Sequence, residues 1–461
     1  MRYISTRGGV EPVSFSEAVM MGLATDGGLL LPESFPQVDG LTLSRWAGLS
    51  FQELATEVIL PFVGEDISRD ELADLVERSY VSFTHPEVTP VVDVKGLRIL
   101  ELFHGPTAAF KDVALQFLGN LFELLLERSG GRLSILGATS GDTGSAAICG
   151  VQGQELIDIF ILHPKGRVSP IQERQMTTVL DNNVHNIAIT GTFDDGQQIV
   201  KLLFNDLEFK QNYSLGAVNS INWARILAQV VYYFYAWGRI TGGDVSKKLT
   251  FSIPTGNFGD IFAGYVAVRM GLPVERLILA TNRNDILSRF IKSGVYSAGE
   301  VHPTISPSMD IQISSNFERY LYYLMGEDPQ KVKALMAQMV AEGRIEVSEE
   351  KRKEVETLFL AAAISEEQIV EQIRVTYEAS GYVLDPHTAV GVYAARDFPD
   401  TVCLATAHPA KFGDAVKEAI GVEADLPPSL QGLMDKETRC ETLAADGEAI
   451  REYMKSILAN R

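Results

Sequence analysis

One lysine interrupts an apolar run. The stretch ELFHGPTAAFKDVALQF, residues 101–117, carries Lys111 between Phe110 and Asp112, where a helical pattern begins. An amine set among Ala108, Ala109 and Phe110 loses solvation, which disfavours the ammonium and makes the amine nucleophilic. A nucleophilic lysine can form a Schiff base with an aldehyde. The alternative is a lysine at a helix start whose stem packs while its head reaches water. Its place after a strand favours chemistry, because ligands gather at the carboxyl ends of strands in open α/β sheets.

Three more stretches lie between a strand and a helix. ATSGDTG, residues 138–144, puts Ser140, Gly141, Asp142 and Thr143 at a helix start. Outward N–H groups and two hydroxyls there make a cradle for a carboxylate or a phosphate. The same residues also read as a simple turn with Asp142 as N-cap. The loop holds no lysine and lacks the Walker spacing, which argues against a nucleotide triphosphatase. IPTGNFGDIFAG, residues 253–264, supplies a second helix-start anion site from Gly256, Asn257, Phe258 and Gly259. Asp260 suits that site only if its side chain turns away or caps backbone amides. LATAHPAKF, residues 404–412, leaves Thr406 as a neutral hydroxyl at a strand tip. Lys411 is a rival Schiff-base lysine, placed behind Lys111 because its polar neighbours suggest exposure.

Pyridoxal phosphate explains all four parts. It needs a lysine for its aldehyde, a cradle for its phosphate and a group facing its ring nitrogen, and an amino-acid substrate needs a carboxylate cradle. A hydroxyl opposite the ring nitrogen leaves that nitrogen largely unprotonated, which suits elimination and replacement more than transamination. No metal is expected: the seven histidines show no HExxH spacing, and Cys149, Cys403 and Cys440 are far apart. No GxGxxG follows any strand, so a nicotinamide enzyme is disfavoured.

The elements that must hold these residues are legible as a pattern. The 461 residues are 46% hydrophobic, with a net charge of −20. That balance argues against nucleic-acid binding and against anionic membranes. With no leader-like or membrane-spanning apolar run, a cytoplasmic setting is expected, as a monomer or homodimer. Residues 1–96 read as a mainly helical domain, with a Ser14/Glu17 capping box and helices near 43–60 and 69–80. From residue 97 on, short apolar strands alternate with helices, the mark of parallel sheets buried on both faces. The expectation is an α/β fold of two open, mostly parallel lobes, 97–245 and 246–461, the second with a helical insert near 326–380.

ELFHGPTAAFKD, ATSGDTG, HPKGRVSPIQ, NSINWAR, PTGNFGD and TAHPAKF occur in the order found in threonine synthases, and the chain resembles that family over nearly its whole length. The resemblance implies a fold type II pyridoxal phosphate enzyme, tryptophan synthase β-like. It would be a carbon–oxygen lyase that converts O-phospho-L-homoserine and water to L-threonine and phosphate, the last step of threonine biosynthesis. Lys111 would hold the cofactor and move protons. Gly256, Asn257, Phe258 and Gly259, with Asp260 at the edge, would bind its phosphate, and Thr406 would face its ring nitrogen. Ser140, Gly141 and Thr143 would hold the substrate carboxylate. Asp142 stands where many relatives of this fold type carry Asn, and could serve the loop or a proton.

The substrate phosphate would need a basic site. Lys165 and Arg167, just after a strand, either bind that phosphate or form a solvated turn. Asn219, Ser220, Asn222 and Arg225 either complete the pocket or cap the apolar helix that follows. His104 reads as a base or as a structural imidazole bonded to backbone. The rivals are a threonine dehydratase, a cysteine synthase or a non-catalytic relative. The Lys165/Arg167 turn is what only a phosphorylated substrate needs.

Overall fold

The structure is a computed structural model that describes residues 1–459. Two sheets organise it. The larger has six strands in the order Phe359–Ala363, Val274–Thr281, Leu249–Pro254, Val402–Ala405, Leu97–Glu101 and Val91–Val94. All are parallel except the last, which forms an antiparallel hairpin with Leu97–Glu101. The smaller has five parallel strands in the order Glu441–Ala444, Val184–Thr190, Ile157–Pro164, Leu133–Ala138 and Leu215–Gly216. The inner strands are buried along most of their length because helices cover both faces of each sheet.

The lobes do not follow the boundaries 97–245 and 246–461. Strand Leu97–Glu101 lies in the larger sheet, beside Val402–Ala405. Strand Glu441–Ala444 lies in the smaller one. The following helix, Gly447–Leu458, packs Ile450 and Met454 on Leu136, Phe160 and Ile187 of that same sheet. Sequence order and sheet membership part company here because a parallel strand can be added from any distance along the chain.

The helix Trp223–Thr241 runs through the centre, buried along nearly its whole length. It packs against Lys111–Ser129, Gly259–Met270 and Phe51–Val63. Helix Lys111–Ser129 and helix Asp142–Val151 cross at two glycines. A Cβ on Gly119 would stand 1.9 Å from the Gly150 carbonyl oxygen, and one on Gly150 would stand 2.5 Å from Leu115 O. This crossing fixes the first turns of the two helices relative to each other.

The N-terminal region has helices Phe15–Met21, Gly40–Trp46, Phe51–Val63 and Arg69–Tyr80. The stretch expected as one helix over 43–60 is two, because Ser50 and Glu53 form a capping box that starts a new helix. An antiparallel pair, Tyr3–Ser5 with Leu30–Pro32, was not expected from the sequence. The region near 326–380 contains helices Pro329–Glu342, Glu349–Glu356 and Glu366–Ser380, but it also contributes the edge strand Phe359–Ala363. That strand, FLAAA, is short and alanine-rich, so its propensity points to helix while its pairing with Val274–Thr281 decides otherwise.

Candidate active site

Lys111 opens its helix, and the loop before it is held on three sides. Phe110 N–H donates to Thr406 O at 2.8 Å and His408 N–H donates to Ala108 O at 3.0 Å, so the loop is zipped to the segment after strand Val402–Ala405. Asp112 accepts from Thr107 N–H at 2.8 Å and from its hydroxyl at 2.6 Å. A Cβ on Gly105 would meet the Asp112 side chain at 2.4 Å, so only glycine lets the loop lie this close. Burial pushes the Asp112 carboxyl up to about 6.

Across from Lys111 stands Asp142. It is the first residue of helix Asp142–Val151, with Gly141 as N-cap, and its side chain does not cap the helix. Oδ2 lies 3.4 Å from Lys111 Nζ, and Oδ1 lies 2.8 Å from Lys411 Nζ. Gln172 Nε2 donates to Oδ1 at 2.7 Å. Burial pushes the Asp142 carboxyl up, but the charges of Lys411 and Lys111, with the bonds from Lys411 and Gln172, outweigh it and hold it well below the usual carboxylate range. Burial pushes the Lys111 amine down; Asp142 opposes this, and Lys411 and Arg225 add to it. The expectation that Lys411 is exposed fails: it is 2% exposed, and its Nζ also donates to Thr107 O at 2.8 Å.

Strand Leu249–Pro254 leads into the turn Gly256–Asn257–Phe258–Gly259, where Phe258 takes a left-handed conformation (φ 62) as N-cap of helix Gly259–Met270. Residues 306–316 close over this turn. Ser314 Oγ donates to Gly256 O at 3.0 Å, Ser315 Oγ to Asn257 Oδ1 at 3.2 Å and Asn316 N–H to Asn257 O at 3.1 Å. A Cβ on Gly256 would stand 2.9 Å from Ser308 O. The segment is itself tied down by Asp310, which accepts from Asn282 at 2.8 Å and Asn284 at 3.0 Å. Asp260 turns away from the turn, into the hydroxyls of Tyr232 and Tyr233, and burial raises it to about 6.

Thr406 sits buried at the tip of strand Val402–Ala405, its N–H donating to Thr388 Oγ1 at 3.2 Å. Asp385 caps helix Pro386–Ala395 and accepts from Thr388. His387 bonds through Nδ1 to Asp385 at 3.0 Å and accepts Ser308 N–H on Nε2 at 3.2 Å. These bonds link Thr406 to the segment over the glycine turn. His104 bonds through Nε2 to the Glu101 carboxylate at 2.7 Å, not to backbone, and Tyr382 donates to the other oxygen of Glu101 at 2.7 Å.

The other expected residues divide. Ser140 is exposed and Thr143 half-buried beside the N-cap Gly141. Ser220 Oγ meets Ser315 Oγ at 2.9 Å. Asn222 caps helix Trp223–Thr241 and reaches Val19 O at 2.9 Å, whereas Asn219 is exposed. Arg225 is buried, which lowers its guanidinium to about 10; Nη1 donates to Val218 O at 2.9 Å, and among the described residues Nε has no hydrogen-bond partner. Lys165 and Arg167 are exposed beyond strand Ile157–Pro164, and among the described residues no side chain bonds to either head group. No group of residues able to hold a metal ion occurs among the described residues, and no helix among them is long and apolar enough to cross a membrane.

These surroundings suit a phosphorylated aldehyde. A buried amine, a glycine turn at a helix start with no room for a Cβ, and a buried hydroxyl at a strand tip all stand around the carboxyl ends of one sheet. From the sequence, residues 306–316 have no assigned part, and Gln172 enters only as the last residue of HPKGRVSPIQ. The signal available was the density of Ser and Asn in SPSMDIQISSN, a polar stretch with no helical period.

A family described as "Pyridoxal-phosphate dependent enzyme" matches residues 83–406, "Threonine synthase N terminus" matches 2–80, and "Threonine synthase, C-terminal" matches 388–454. The threonine synthase of Pseudomonas aeruginosa is 49% identical, over 98% of this chain and 98% of its own. The crystal structure of a PLP-bound threonine synthase from Brucella melitensis superposes with a TM-score of 0.96 at 48% identity, covering 99% of both chains. The yeast threonine synthase structure gives a TM-score of 0.96 at 46% identity, covering 100% of this chain and 99% of that one. The chain belongs to the threonine synthase family of pyridoxal phosphate-dependent enzymes.

Proposed function

We infer that the chain converts O-phospho-L-homoserine and water to L-threonine and phosphate, with pyridoxal phosphate carried on Lys111. The observation that carries this reading is the buried Lys111 facing Asp142 beside the closed glycine turn, in a chain that matches threonine synthases end to end. When bound, pyridoxal phosphate supplies an aldehyde for the substrate amine and a ring that stabilises charge at the neighbouring carbon.

The chain's own groups do the rest. The backbone of Gly256, Asn257, Phe258 and Gly259 holds the cofactor phosphate at the start of helix Gly259–Met270. Asp260 contributes there through its main chain, since its carboxyl is taken by Tyr232 and Tyr233. Thr406 presents its hydroxyl to the ring nitrogen. Ser140, Gly141 and Thr143 bind the substrate carboxylate at the start of helix Asp142–Val151. Lys111 Nζ moves the protons at the substrate's α and β carbons, while phosphate departs from the γ carbon. Arg225, with its unpartnered Nε, faces the departing charge. Lys165, Arg167, Asn219 and Ser220 complete the phosphate side. Burial of Lys111 and Thr406 limits the access of water to the reacting carbons.

The test is a paired assay of phosphate release and threonine formation from O-phosphohomoserine, with borohydride trapping and peptide mapping. Equal yields of both products and a reduced cofactor on Lys111 are expected. Lys111→Ala is expected to lower turnover by about 10³-fold or more. Phosphate release with a keto acid in place of threonine, or a label on another residue, defeats the reading.

A further inference from the structure

Asp142 is shared by two lysines, and a Schiff base needs only one. The two are bonded unequally. Lys411 Nζ has two close acceptors, Asp142 Oδ1 at 2.8 Å and Thr107 O at 2.8 Å. Its side chain is 0% exposed, against 11% for Lys111. Among the described residues Lys111 Nζ has one hydrogen-bond acceptor, Asp142 Oδ2 at 3.4 Å, and lies over the Phe110 ring, 5.5 Å from its centre. A buried ammonium persists where a carboxylate and a carbonyl take its hydrogens; one with a single distant acceptor is poorly held.

The remaining neighbours do not change this balance. Gln172 at 2.7 Å and Ser308 at 3.5 Å approach Asp142 as neutral donors. Arg225, from the central helix, adds positive charge on the side of Lys111. Asp112, next to Lys111 in sequence, is engaged by the N–H and hydroxyl of Thr107.

We propose that Lys411 is a positioning residue: its ammonium is the standing partner of the Asp142 carboxylate, which leaves Lys111 as the free amine. The pair comes from opposite lobes. Lys411 lies on the turn Pro409–Phe412 after a strand of the larger sheet, and Asp142 opens a helix after a strand of the smaller one. Together they present no net charge to the bound cofactor, where Asp142 alone would present an anion. The inference rests on the reading that the cofactor is carried on Lys111.

The experiment follows the absorption band of the lysine-bound cofactor against pH in the holoenzyme, with borohydride mapping of the labelled lysine. In Lys411→Met, Asp142 is left to Lys111 alone, so the midpoint is expected to rise by about one pH unit or more. Lys411→Arg keeps the charge and is expected to stay near the parent. The double variant Lys411→Met/Asp142→Asn removes the pair as a unit and is expected to return towards the parent. Asp142→Asn alone, which tests the same charge balance if Lys411→Met does not fold, is expected to lower the midpoint by about one unit. An unmoved midpoint in Lys411→Met, with the label still on Lys111, overturns the proposal and leaves the cofactor reading standing. A label on Lys411 overturns both.

Discussion

Buried acids in this chain are treated in two opposite ways. Asp142 is surrounded by cations, and its carboxylate is favoured. Among the described residues Asp260 is given two tyrosine hydroxyls, and burial lifts it from an ordinary 3.8 to about 6. A carboxyl raised in the folded state stabilises the fold fully only below its unfolded value, and that contribution is lost as pH climbs through about 6. Asp260→Asn keeps an acceptor for both hydroxyls and has no charge to bury. Calorimetry should find it melting above the parent at about pH 8, with the gain, at most ~3 kcal/mol, gone by about pH 4. At this scale much was legible. Lys111, Thr406 and the two helix-start turns stand just after strands, and strand ends are visible as apolar runs that stop. Lys411 was misjudged because a lysine in the first turn before FGDAVKEAI reads as exposed, while Thr107 and Asp142, which bury it, are some three hundred residues away. Local composition carries no trace of such partners.

Helix contacts set the spacing that the side chains use. Gly119 and Gly150 bring helices Lys111–Ser129 and Asp142–Val151 into backbone contact, so the separation of Lys111 and Asp142 is inherited from the crossing. Gly119→Ala is expected to cost about 2–3 kcal/mol, since the oxygen it meets belongs to backbone that cannot step aside. It should also cut turnover well beyond what the remaining folded fraction accounts for, measured by comparing kcat with the melting curve. Arg319, on helix Phe317–Leu324, acts on the other half of the site. It is fully buried, donates to Leu30 O, Ile221 O and Asn316 Oδ1, and so joins the N-terminal strand pair to the segment over the glycine turn. Arg319→Met is expected to lower stability by roughly 3 kcal/mol. Spectroscopic titration of the apoprotein should show cofactor affinity falling about tenfold. Element type was readable wherever apolar periodicity ran long, as in Leu249–Pro254 and Trp223–Thr241. It failed for Phe359–Ala363, whose form is dictated by its pairing partner, and it said nothing of residues 306–316, which Asp310 ties down.

At the level of the whole chain, the N-terminal region is bound in rather than appended. Arg7 pairs with Glu318 at 2.8 Å, Thr6 reaches the same carboxylate at 2.6 Å, and Phe62 and Phe51 pack on Trp223 and Tyr235 of the central helix. The C-terminal segment is bound in as well. Ending the chain after Asp435 would uncover Leu136, Phe160, Ile187 and Leu203, now covered in part by Ile450 and Met454. The truncated protein is expected to bind an apolar dye strongly and to melt well below the parent, measured by fluorescence and calorimetry. The α/β class and the two-sheet plan were legible from alternating strands and helices. Which strand joins which sheet was not, because parallel pairing leaves no local signature.

The middle of the larger sheet is filled by Val402–Ala405, between strands drawn from residues 97–101 and 249–254. On the ribosome, then, the first half of that sheet waits unjoined until nearly nine-tenths of the polypeptide has emerged. Nascent chains of this protein pass through a long interval with open strand edges, a stage prone to pairing with other chains.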